Sequence, residues 1–218
     1  MLKARAVATL VLAALAATVA AEATAADAAA DAAALSRLER SLASLSSVRA
    51  EFRQQLIEAD GSAGATARGT LYLKKPGRFR WDYSQPQQLI VCDGETLWLY
   101  DPELEQATVR RVAETLSQTP AMLLSGQGRV GDGFTVNDAG ASGGLSWVKL
   151  TPRLAQADFR ELKLGFEGAD LKRLEFTDKL NAITRIEFTR IERNVRLDQA
   201  LFTFVAPAGV DVIGEPRH

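Results

Sequence analysis

Alternation with a period of two governs most of this chain. In Thr70 to Tyr83, TLYLKKPGRFRWDY, two runs meet at a Lys-Lys-Pro-Gly corner. Side chains on a strand alternate faces. Leu71, Leu73 and Lys75 therefore share one face of the first run, and Phe79, Trp81 and Tyr83 share one face of the second. Thr70, Tyr72, Lys74, Arg78, Arg80 and Asp82 point the other way. The pattern predicts a sheet with one apolar and one wet side. Strands are also predicted for Val48 to Glu58, Gln88 to Cys92, Thr96 to Tyr100 and Ala107 to Arg110. Asp60 to Gly64, Asp93-Gly94 and Asp101-Pro102 are the turns between them. Val130 to Ala139 and Leu145 to Leu150 resume the pattern around a Gly-rich bend. The last third reads as a run of hairpins. One face carries Leu162, Leu164 and Phe166, then Leu174 and Phe176, Ile186 and Phe188, and finally Phe202 and Phe204 within Leu201 to Val205. Glu161, Lys163, Arg173, Glu175, Arg185 and Glu187 lie opposite. Clean alternation of this kind belongs to an antiparallel sheet packed on one side only.

Helical periodicity appears twice. Leu35, Leu38, Leu42 and Leu45 form one apolar stripe, which Ser46-Ser47 ends, and the Ala- and Asp-rich stretch Ala26 to Ala34 before it reads as frayed. Val112 to Ser125 is a second helical region, broken by Pro120. About ten strands with an apolar face thus have two helical segments to cover them, and twisted sheets of that size curl. The expected fold class is α+β, mainly β: a curved antiparallel sheet forming an unclosed half-barrel, with a helical lid over its concave apolar face. Either the helices fill the mouth as ordinary core, or they leave room for an apolar guest.

Composition adds an address and removes chemistry. The chain has 218 residues and a formal net charge of −1, which gives nucleic-acid binding no support. Lys3 and Arg5 precede an apolar run from Val7 to Val19, and Ala23-Thr24-Ala25 or Val19-Ala20-Ala21 offers a cleavage site. Residues 1–25 are therefore expected to be a cleaved secretory signal peptide, and residues 26–218 a single domain. The run falls short of the roughly 20 residues that span a bilayer. Cys92 is the only cysteine, so no internal disulfide is possible, and it is expected in the core. No cysteine stands at the cleavage site to accept a lipid, which predicts a protein free in the periplasm. The only histidine is His218, which removes His-based triads and His metal clusters. No enzyme activity, cofactor or metal is expected, and the Glu161 and Asp178 carboxylates sit in ordinary strand-edge contexts. A monomer is expected.

Several motifs now combine. Gly69-Thr70-Leu71-Tyr72-Leu73-Lys74-Lys75-Pro76, followed by Phe79-Arg80-Trp81, resembles the G-x-L-x-x-K-[RK]-P-x-x-F-x-W segment of the periplasmic outer-membrane lipoprotein carrier family, LolA. Asp93 to Pro102 resembles its D-G-x-x-[LV]-W-x-Y-[ND]-P segment, and Glu105-Gln106-Ala107, Thr119 to Leu124 and the ending Phe202 to Ile213 also fit. The resemblance runs in order through essentially all of the chain after residue 25. It implies a half-barrel that shields lipoprotein acyl chains, loaded by an inner-membrane ABC-type releasing complex and unloaded at an outer-membrane lipoprotein receptor. The alternative is a periplasmic sensor or carrier of the same fold for a different lipid. Candidate lipid-binding residues are Leu71, Leu73, Phe79, Trp81, Leu97 and Leu99 from the strands, with Leu116, Met122, Leu123 and Leu124 from the second helical region. Members often carry Arg before the Pro, where it latches the lid. Lys75 stands there in this chain and implies a softer latch, because an ammonium lacks the guanidinium fork. Lys74, Arg78 and Arg80 form a basic rim that could meet an acidic partner or a lipid head group.

Overall fold

The computed structural model describes residues 25–112, 129–154, 157 and 159–214. Helix α1 (25–43) precedes β1 (Ser47–Ile57), β2 (Ala63–Lys74), β3 (Arg78–Gln85), β4 (Gln87–Asp93), β5 (Thr96–Asp101) and β6 (Gln106–Arg111). After the short α2 (Val130–Gly133) come β7 (Phe134–Ser142), β8 (Leu145–Pro152), β9 (Phe159–Glu167), β10 (Asp170–Asp178) and β11 (Ile183–Arg193). A 3-10 turn (Gln199–Phe202) leads to β12 (Asp211–Ile213). All twelve strands form one unclosed sheet in the order β12-β6-β5-β4-β3-β2-β1-β11-β10-β9-β8-β7. The pairs are antiparallel except β12 with β6, which is parallel.

Register converts the alternation into continuous apolar lines. Val48, Leu73, Phe79, Cys92 and Leu97 are successive cross-strand partners, as are Ala50, Leu71, Trp81, Ile90 and Leu99. On the other half Val148, Leu164, Leu174 and Ile186 align in the same way. These lines face inward. Cross-strand pairs of this kind are the unit of sheet stabilisation. α1 lies over the inner face, with Ala34, Leu38 and Leu42 buried at helical spacing.

Four expectations need correction. Residues 26–34 are helical rather than frayed: Ala is the best helix former, Ala34 is fully buried, and Asp31 accepts hydrogen bonds from Asn137 Nδ2 (2.8 Å) and Asp138 N (2.7 Å) of β7. Residues 130–133 form a helical turn, so β7 starts later than expected. Leu201 to Val205 is not a strand. Asp198 accepts from Ala200 N and caps the 3-10 turn instead. Finally, the outer face is not wet throughout. Val91, Ala107 and Val109 alternate onto the outer side and are buried, and Phe204 packs there against Trp98 and Tyr100, each at 5.3 Å. β4 and β5 carry apolar residues on both faces and β6 on its outer one, and the chain after β11 covers that outer side.

An apolar trough beneath a helical lid

The inner face of β1 to β5 and β8 to β11 is a trough with a mostly apolar floor. Phe52 touches Trp81 (4.9 Å) and Tyr83 (5.0 Å) edge-on, and Trp81 reaches Phe188 at 6.0 Å. Such aromatic pairs contribute beyond their buried area. Tyr83 keeps a polar outlet, donating from its hydroxyl to Gln54 Oε1 at 3.1 Å. Burial pushes the Tyr83 phenol up to about 12 and the Cys92 thiol up to about 11. Both protons are held more tightly in the fold. The stability each contributes is complete below its ordinary pKa and lost as the pH climbs through the raised one.

α1 is fixed to the sheet mainly by apolar contact, with a few polar ties along its length and at its C-terminal end. Besides the Asp31 bonds to β7, Arg37 pairs with Asp138 at 3.7 Å. At the other end Ser41 Oγ donates to the Ala169 carbonyl (3.2 Å), and Arg193 donates to Ser44 Oγ (2.8 Å). Asn194 receives Ser46 N and returns a bond to the Ser44 carbonyl. Lys75 Nζ donates to the Leu42 carbonyl in the last turn of α1, where helix carbonyls carry partial negative charge. Burial lowers the Lys75 pKa.

Beneath this end of α1 lies an apolar cavity of ≈ 50 Å³, walled by Leu42 and Leu45 from the lid, Leu71 and Leu73 from β2, and Phe166 and Phe188 from the far half of the sheet. A dry cavity that admits benzene is about 150 Å³, so this one holds no acyl chain as it stands. For a long guest to occupy this cavity, α1 must move.

Of the residues expected from the sequence, Leu71 and Leu73 line this cavity. Phe79, Trp81 and Leu97 lie on the same inner face as buried core, and Leu99 shares it at 39% exposure. Leu116, Met122, Leu123 and Leu124 lie outside the described residues. Lys74 Nζ donates to the Leu197 carbonyl (3.0 Å), and Arg80 pairs with Asp82 (3.0 Å) and reaches the Leu201 carbonyl (3.4 Å). Two members of the basic rim thus hold the C-terminal segment, while Arg78 donates to the Asp93 carbonyl. Glu161 pairs with Lys163, and Asp178 accepts from the backbone of its own turn. The far wall of the cavity, Phe166, Leu171, Phe188 and Ile191, was missed, although the alternation of β9 to β11 already placed Phe166 and Phe188 on an apolar face. Among the described residues, no group of three His, Cys, Asp or Glu side chains could hold a metal ion, and no helix is long and apolar enough to cross a membrane.

The Lys75 contact gives a direct expectation. Lys75→Met should speed amide exchange in the last turn of α1 by about tenfold, the size of one lost charge-assisted hydrogen bond. Lys75→Arg, whose fork can reach two carbonyls, should slow it. Equal protection in the parent and both variants would mean that Lys75 does not hold the helix.

Residues 43–205 match the family model described as outer membrane lipoprotein carrier protein LolA. An outer-membrane lipoprotein carrier protein from Dechloromonas aromatica is 41% identical over 182 residues, covering 83% of this chain and 88% of its own. One from Methylococcus capsulatus is 40% identical over 178 residues, covering 81% and 86%. An uncharacterized conserved protein from Thermus thermophilus has a similar fold, with a TM-score of 0.53 at 15% identity, covering 83% of this chain and 98% of its own. The lidded half-barrel and the sequence agree, and the chain belongs to the LolA family of outer membrane lipoprotein carrier proteins.

Proposed function

We propose that this protein carries lipoproteins across the periplasm, sheltering their acyl chains on the inner face of the half-barrel. Residues 1–25 act as its export signal, and the remaining chain works as a monomer. An inner-membrane ABC-type complex hands over the cargo, and an outer-membrane lipoprotein receptor takes it. The relatives' name supports the cargo class. The observation that carries the mechanism is a continuous apolar floor closed, among the described residues, by one helix held by a few polar ties at Asp31, Arg37 and Ser41.

Magnitudes favour such a device. Burying a chain of about 16 carbons gains roughly 12 kcal/mol. Lifting Leu38 and Leu42 out of the trough costs about 3–6 kcal/mol, and each polar tie about 1 kcal/mol more. One acyl chain therefore roughly offsets the lid, and the further chains of a lipoprotein tip the balance toward cargo. Three chains bound to an empty, open trough would approach the tightest complexes known, and a carrier must let go. A lid that refills the trough reduces the net affinity to the difference between lid contacts and acyl contacts.

The test incubates the protein lacking residues 1–25 with inner-membrane vesicles that contain the releasing complex. Outer-membrane-type lipoproteins should appear in the soluble fraction, bound to the protein. A folded protein that leaves them all in the membrane would overturn the carrier reading.

A further inference from the structure

The sheet has a second concavity, on the side away from the lid. β-bulges in β2 opposite Gln55 to Ile57, and in β3 at Ser84 opposite Arg68 and Gly69, sharpen the local twist. The outer face of β11-β1-β2-β3 folds there into two adjoining hollows of ≈ 580 and ≈ 670 Å³, which share Arg53, Arg68 and Glu187.

The charges of this hollow are unevenly matched. Glu51 is held by Arg190 (2.6 Å), Glu187 by Arg173 (2.6 Å), Asp82 by Arg80 (3.0 Å), and Arg185 by Glu175 (2.7 Å). That leaves Arg53 and Arg68. Both are exposed, and they are direct cross-strand partners; on its other side Arg53 lies opposite Glu187, which is held by Arg173. Neither side chain has a hydrogen bond or ion pair among the described residues. Like charges directly opposite each other on neighbouring strands are destabilising, so an anion between them relieves a cost that the free protein carries. Guanidinium pairs bind carboxylates in a forked geometry. The walls around them are hydroxyls and amides, from Thr66, Thr70, Gln55 and Gln85. An amide side chain both donates and accepts, as a peptide main chain requires.

We propose that this outer hollow is a docking site for an acidic polypeptide segment of a partner protein, with Arg53 and Arg68 gripping its carboxylates. A recessed site suits an inserted segment better than a flat bilayer. The hollow and the lid occupy opposite faces, so a docked partner leaves α1 free to move. The site rests on its own charges and stands whatever the inner face carries.

The probe is a fluorescein-labelled hexaglutamate peptide, read by anisotropy at low ionic strength against the parent, Arg53→Gln/Arg68→Gln, and Lys179→Gln at the distant β10–β11 turn. Circular dichroism checks that each remains folded. The parent and Lys179→Gln should bind alike. The double variant should lose affinity by about tenfold or more, since charge-assisted hydrogen bonds contribute that much, and its binding should depend less on salt. No binding to the parent, or equal binding to the double variant, overturns the proposal. So does displacement of the peptide by inorganic phosphate at matched ionic strength, which would mark a simple anion site. Capture of the parent, and not the double variant, by phosphatidylglycerol vesicles in the absence of peptide binding would replace the partner with a membrane.

Discussion

Crosslinking the lid to the sheet should stop cargo uptake. Ser41 of α1 contacts Ala169 in the β9–β10 turn through a hydrogen bond of 3.2 Å. In Ser41→Cys/Ala169→Cys, oxidation should lower the lipoprotein recovered from inner-membrane vesicles by about tenfold or more, because the competent open state is no longer populated. A reducing agent should restore it. Cys92, the only native thiol, is fully buried and its pKa is pushed up to about 11, so it does not compete for the bridge. The effect follows from volume: a cavity of ≈ 50 Å³ excludes an acyl chain unless α1 leaves. Uptake at the parent's rate with α1 crosslinked would show that guests enter without moving this helix.

A second large effect is expected at Gly69. A Cβ there would lie 2.0 Å from the Asp82 carbonyl oxygen and 2.9 Å from Phe52 Cζ. Opposite Arg68 and Gly69, β3 bulges at Ser84 and its backbone runs close to β2, while Phe52 of β1 pairs with Gly69 from the other side. Glycine inside a strand commonly marks such an approach. Gly69→Ala should lose about 3 kcal/mol and lower the melting midpoint by roughly 6–12 °C. Gly133→Ala is the control. Nothing lies within 4 Å of a Cβ at that position, and its stability should stay within about 0.5 kcal/mol of the parent. Denaturant titrations compare the two. Equal behaviour would mean that β2 and β3 can separate locally without cost.

Much of this architecture was legible because its signal is local. A single sheet face demands every second residue, so Leu71 and Leu73, Phe79 and Trp81, and Ile186 and Phe188 declared themselves through spacing. The stripe Leu38 and Leu42 declared α1 in the same way. The errors came where tertiary contact overrode pattern. Phe202 and Phe204 alternate like a strand, yet Asp198 caps a 3-10 turn and the Phe204 ring settles on the outer face. Lys74 and Arg80 read as a solvated rim, yet they hold carbonyls of the segment that covers that face. Asp31 read as part of a frayed end, yet it receives two bonds from β7, more than a hundred positions along the chain.

The amino-acid order by itself determined which residues are apolar, which alternate, and therefore that a curved one-sided sheet would need a helix to cover it. Periodicity is written into consecutive residues, and it constrains each element before any long-range contact forms. Only the tertiary structure decided that α1 leaves a cavity of only ≈ 50 Å³ beneath its C-terminal end, that Lys75 reaches the end of that helix, and that Arg53 and Arg68 are set opposite each other with no ion pair among the described residues. Those outcomes depend on register, twist and the meeting of segments remote in sequence, and a side chain's own type carries no information about the partner it will meet.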